Sequence, residues 1–177
     1  HIEKAKGSRE SNITYTQKDG NFKQNFKEEV YIEPINKDLL PVKKLMDSYE
    51  FPKGDRKINV VIDPIGGKGK TEFCRWACLN YQDIIITGGK AQDMKNQIVE
   101  YYKINSRCPK YILIDCPRSV IEYLSYQGIE EVKNMLFYSG KYEGGMIVGN
   151  KPFVCLFMNE EPKFSKLSSD RWNCLYI

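Results

Sequence analysis

Residues 58–73 read INVVIDPIGGKGKTEF: an apolar run, a turn crowded with glycine, then Lys70 and Thr71 opening a stretch whose spacing predicts a helix. An apolar strand that stops in a glycine-rich loop and restarts as a helix aims several backbone N–H groups at one point. The positive end of the helix dipole lies behind them. Together they make a phosphate cradle. Lys70 would reach the β and γ phosphates as a point charge, and the Thr71 hydroxyl would coordinate magnesium. Against the pattern GxxxxGK[ST], Pro64 stands where the first glycine is expected. Gly69, Lys70 and Thr71 fit strictly, with Gly66, Gly67 and Lys68 completing the loop. The blander reading is an ordinary strand-turn-helix with a surface lysine. The flanking strand and helix favour the cradle, because its mechanism needs that context.

Outward from this loop, residues 71–80 (TEFCRWACLN) place Phe73, Trp76, Ala77 and Leu79 or Asn80 near helical spacing. Residues 83–87 (DIIIT), 111–115 (YILID) and 153–158 (FVCLFM) are short apolar runs of the kind expected for strands covered on both faces. Between the first two, residues 91–104 present Met94, Ile98 and Tyr101 or Tyr102 on one helix face. Residues 119–138 read as one broken or two short helices with Gly128 at the break, residues 141–150 as a hairpin turning at Gly144 and Gly145, and residues 170–177 as a further strand. Strands alternating with helices argue for an α/β domain with a mainly parallel sheet, whose ligands sit at the carboxyl ends of the strands. Residues 1–27 are polar with no core of their own. Residues 28–56, divided by Pro34, Pro41 and Pro52, read as a linker with one short helix around residues 42–49, and residues 57–177 form the main domain.

In that architecture the glycine loop, Asp115 and Asn159 all fall at carboxyl ends of buried strands. Asp115 would hold the magnesium, directly or through water, where an isolated acid would merely end a strand. The place of a second acid, which would polarise the attacking water, holds Cys116, leaving Glu72 or an acid in another loop as the base. Asn159 would orient water or the γ phosphate through its amide, or simply end its strand. Arg171 reads equally as a finger supplied to a neighbouring subunit's nucleotide or as a surface arginine. Lys90 and Lys141 sit on glycine-bearing loops where a DNA phosphate would approach, although a solvated loop lysine is the common case. Tyr101, Tyr102, Tyr123 and Tyr126 are better explained by packing than by base stacking.

Composition narrows the class. With 177 residues, 28% charged, 41% hydrophobic and a net charge of +4, the chain suits a soluble domain with an anionic partner. No apolar run approaches the ~20 residues of a membrane span, and no signal-peptide core opens the chain, so an intracellular protein is expected. Six cysteines without CxxC spacing, beside the single histidine His1, read as buried free thiols rather than a zinc site.

The ordered set GGKGKT, TGGKAQD, ILIDCPRS, FVCLFMN and KLSSDRW resembles the superfamily 3 helicase domain of replication initiator (Rep) proteins of circoviruses and nanoviruses, small circular single-stranded-DNA viruses. The opening HIEKAKGSRESNITYTQKDGNF resembles the end of their HUH endonuclease domain, and the IDCPRS and KLSSDRW pieces look nanovirus-like or satellite-like. The resemblance implies a P-loop NTPase of AAA+-like fold, preceded by an endonuclease remnant and a helical oligomerisation segment. It would work as an ATP- and magnesium-dependent DNA helicase in rolling-circle replication. A homo-oligomeric ring, hexameric in such helicases, would encircle single-stranded DNA in the host nucleus.

Residue by residue, Lys70 and Thr71 match the phosphate loop, Asp115 the second nucleotide motif, Asn159 the sensor and Arg171 the arginine finger, while Lys90 and Lys141 match DNA-facing loops. Tyr15 in YTQK matches the tyrosine that attacks a DNA phosphodiester, with Lys18 assisting. The family's nickase also needs a metal-binding histidine motif and an origin-binding sheet upstream of this chain's first residue. Nicking and joining by Tyr15 are therefore expected only if that part is present. Pro64 and Cys116 depart from the pattern and keep open a non-catalytic DNA-binding or assembly domain. An RNA-virus helicase is disfavoured by YTQK.

Overall fold

A computed structural model describes residues 30–140 and 145–177, and residues 32–177 form one compact unit. Residues 1–27, with Tyr15 and Lys18, and the loop residue Lys141 lie outside the described residues. Ahead of the central apolar run, helix α1 (Leu40–Asp47) carries a proline in its first turn, where a missing N–H loses no hydrogen bond. Leu39, Val42 and Met46 are fully buried in one cluster with Val61, Phe73 and Phe157, so this stretch packs into the main core.

The apolar run forms β1 (Ile58–Ile62), and α2 (Lys70–Asn80) follows the glycine loop. Next come β2 (Ile84–Thr87), α3 (Ala91–Asn105), β3 (Tyr111–Asp115), a 3-10 stretch at Arg118–Tyr123 and α4 (Tyr126–Asn134). A hairpin of β4 (Leu136–Ser139) and β5 (Gly145–Val148) leads to β6 (Phe153–Met158) and β7 (Trp172–Tyr176). Five strands form one parallel sheet in the order β2-β3-β6-β1-β7. Side chains alternate across it with period two. Ile112, Ile114, Val154 and Leu156 face α3 and α4, whose Met94, Ile98, Ile129 and Val132 share their cluster. Leu113, Cys155 and Phe157 face α1 and α2. Because helices cover both faces, the strands need apolar residues on both sides, which is why each reads as a continuous apolar run.

Three expectations are corrected. Gly128 does not break a helix: it lies in the first turn of α4, its N–H accepted by the Ser125 hydroxyl at the N-cap. A Cβ at Gly128 would lie 2.8 Å from the Ala91 Cα and 2.8 Å from the Met94 Cε, so the glycine is there to let α4 approach α3. Accordingly, Gly128→Ala should destabilise the protein by about 1–2 kcal/mol despite alanine's better helix propensity, because the Ala91 backbone must move. A thermal melt would show a lower midpoint, whereas a rise would mean that α3 and α4 have room to separate. The hairpin also begins earlier than the sequence indicated. Met135 takes a left-handed conformation (φ +47°) that ends α4, and residues 136–139 alternate exposed and buried as β4, pairing antiparallel with β5. All six cysteines are free, but only Cys74, Cys116 and Cys155 are buried, with Cys78 exposed and Cys108 and Cys174 between. Among the described residues, no helix is long and apolar enough to cross a membrane.

Candidate functional site

The register places the carboxyl ends of β1, β6 and β3 side by side, Ile62 opposite Met158 and Phe157 opposite Asp115. The glycine loop leaves β1 at this edge. Gly66, Gly67 and Gly69 have φ of +94°, +83° and +78°, values that favour glycine, and Gly69 caps α2. Pro64, at the nominal first-glycine position, is not among the positive-φ residues, so proline fits there without strain.

Asp63, which ends the β1 run, lies at the centre of the loop with no solvent exposure. Its Oδ1 accepts the Gly66 N–H at 2.7 Å, and its Oδ2 accepts the Lys68 N–H at 3.3 Å and the Lys70 ammonium at 2.7 Å. Burial works against ionisation, but the Lys70 ammonium and the two amides outweigh it and hold this carboxyl below the usual carboxylate range. The Lys68 ammonium pairs outward with Asp38 at 2.7 Å, tying the loop to the segment just before α1.

Thr71 donates its hydroxyl to Asp115 Oδ2 at 2.8 Å, joining the first turn of α2 to the end of β3 across 44 residues of chain. A hydroxyl and a carboxylate on one edge suit magnesium, which keeps most of its waters and takes few protein ligands beside phosphate. Among the described residues, no three His, Cys, Asp or Glu side chains cluster as a dedicated metal cage. Lys70, Thr71, Asp115, Arg118 and Asn159 line one open pocket of about 550 Å³. Glu72 also lines it but is bridged to Arg75 at 3.0 Å. Cys116 is buried, and burial followed by the nearby Asp115 and Glu160 charges pushes its thiol up to about 11, so it remains a neutral thiol.

Three residues escaped the sequence reading. Asp63 was signalled by an acid closing an apolar run, as in YILID. Arg118 donates to the Pro64 and Ile65 carbonyls at 2.8 and 3.0 Å, and Asp38 holds Lys68; neither contact has any local sequence signal.

Comparison with protein-family models gives no match. Among curated proteins, the chain is 36% identical over 128 residues to the Para-Rep C9 of Faba bean necrotic yellows C9 alphasatellite, covering 72% of this chain and 43% of that protein. It is 32% identical over 135 residues to the master replication protein of Subterranean clover stunt virus (strain F), covering 76% and 43%. The chain belongs to the Rep family of nanoviruses and alphasatellites. It spans less than half the length of these curated relatives.

Two residues that the Rep resemblance singles out, Arg171 and Lys90, lie away from the pocket. Arg171 precedes β7, whose first residue pairs with Ile58 at the start of β1, so it stands at the opposite end of the sheet, about 15 Å along the strand direction from the loop. It is 4% exposed and its Nη2 pairs with Glu130 at 2.8 Å, while Nε and Nη1 have no hydrogen-bond partner among the described residues. Lys90 is exposed at the start of α3 with its ammonium 5.2 Å from the Tyr123 ring centroid, outside the pocket lining. Asn159 donates its amide to the Asp63 carbonyl at 2.8 Å, so in this Rep chain it tethers the loop.

Proposed function

We propose that this chain is the motor part of a Rep protein, a P-loop ATPase of AAA+-like superfamily 3 helicase type that moves along single-stranded DNA as a homo-oligomeric, hexameric ring. The observation that carries the reading is the Thr71 to Asp115 hydrogen bond beside Lys70 at the mouth of a parallel sheet. The backbone N–H groups and Lys70 would hold the β and γ phosphates of ATP. Thr71 and Asp115 would hold magnesium, which neutralises charge developing on the phosphates. Asn159 would orient the loop through Asp63. Lys90 and Lys141 would meet DNA phosphates, and work in the host nucleus follows if the chain is viral. Nicking and joining by Tyr15 with Lys18 would need the metal-binding part that precedes this segment in the family.

Arg171 cannot serve its own subunit's pocket from the far end of the sheet, so as a finger it acts in trans after leaving Glu130. Phosphate release measured with and without single-stranded DNA tests the reading. Wild type should hydrolyse ATP with DNA stimulation exceeding that by RNA, and Asp115→Ala should lose at least about a hundredfold. Arg171→Ala should bind ATP without hydrolysing it and regain activity when mixed with Lys70→Ala. Absence of hydrolysis by wild type would overturn the motor.

A second reading, a DNA-binding or assembly domain in which nucleotide is only a structural ligand, is favoured by Cys116, a neutral thiol where a water-polarising acid would stand. It predicts nucleotide binding with no phosphate release.

A further inference from the structure

We propose that Asp63 is a built-in ligand of the phosphate cradle, whose carboxylate occupies the loop's donors when nucleotide is absent and must yield them to the incoming phosphates. Nucleotide affinity is then set by this exchange. The inference rests on the nucleotide reading above and adds what controls the site.

The Asp63 carboxylate takes the Gly66 and Lys68 amides and the Lys70 ammonium, donors that a phosphate in the cradle would need. An amide N–H serves one strong acceptor, so carboxylate and phosphate compete for it. The competitor is held in place by its own backbone. The Asp63 N–H donates to the Met158 carbonyl at 3.0 Å, and its carbonyl accepts the Asn159 amide at 2.8 Å. Arg118 holds the next two carbonyls, those of Pro64 and Ile65. Three successive carbonyls are therefore gripped by side chains from β3's exit and β6's end, leaving the carboxylate aimed into the loop. Lys68, the loop's other cation, is likewise engaged by Asp38. Both lysine charges are neutralised before any anion arrives, and phosphate entering beside a buried carboxylate meets like charge.

Replacing the carboxylate by its neutral isostere tests this. Equilibrium binding of ADP, ATP and inorganic tripolyphosphate is measured on wild type, Asp63→Asn and Lys70→Ala, with the ligand-induced shift of the melting midpoint as a second readout. Asp63→Asn should bind tripolyphosphate and ADP at least about tenfold more tightly than wild type and show the larger shift. Asp63→Ser, which also removes the charge, should move in the same direction and serves if the asparagine variant folds poorly. Equal or weaker binding by these variants, with Lys70-dependent binding intact in wild type, would overturn the proposal and leave the nucleotide reading standing. If neither wild type nor the Asp63 variants bind any of the three probes and Lys70→Ala behaves like wild type, the nucleotide reading itself fails and carries the proposal with it.

Discussion

Lys70→Ala should abolish ATP hydrolysis and also lower the stability of the ligand-free protein by about 3 kcal/mol. On the proposed motor reading, the catalytic loss follows from the place Lys70 would take at the β and γ phosphates. The stability loss has a different origin. Lys70 is 10% exposed and its partner Asp63 is wholly buried, so deleting the ammonium leaves a buried carboxylate with only two amide donors. Removing one member of a buried pair strands the other, which is the costly case. The double variant Lys70→Ala with Asp63→Asn should recover most of the stability while remaining inactive, because no charge is left uncompensated. Urea unfolding of the four proteins gives the coupling directly. Additive losses would mean that the pair contributes little and that Lys70 is held by something else.

Phe157→Ala should destabilise the protein by about 3–5 kcal/mol, the range for truncating a buried phenylalanine. Phe157 lies on the central strand β6, wholly buried, with its ring centroid 5.7 Å from that of Phe73 in the first turn of α2. Set against a typical domain stability of about 5–15 kcal/mol, the loss is large enough for the melting midpoint to fall by roughly 10 °C. The cavity opens under the turn that carries Lys70 and Thr71, so nucleotide affinity should fall with stability. Val154→Ala empties the opposite face at the amino end of the same strand, and should lower stability less and leave affinity unchanged. If both variants bind nucleotide equally well, Phe73 does not position the loop.

The strand-loop-helix unit, the three buried strands bearing the loop, Asp115 and Asn159, and helices α2 and α3 were all legible in the chain. Each rests on local rules: strands covered on both faces are apolar throughout, positive φ favours glycine, and a helix repeats its apolar face every three or four residues. The same local rules failed at residues 136–139. Four alternating residues after a helix do not identify a strand until a partner pairs with them, and the partner here is β5. They failed at Gly128 as well, since a helix-breaking residue and a close-packing residue look alike until the neighbouring helix is in place.

By itself, then, the sequence determined most of the element types and the strand-loop-helix order that brings the glycine loop, Asp115 and Asn159 to one edge of the sheet. Only the tertiary structure decided which charges meet: Asp63 with Lys70 inside the loop, Asp38 with Lys68 behind it, Arg118 over Pro64 and Ile65, and Arg171 with Glu130 at the far end of the sheet. The reason is physical. Local pattern depends on which side of a strand or helix each residue takes, whereas ion pairing depends on strand order and register, which bring together side chains far apart along the chain.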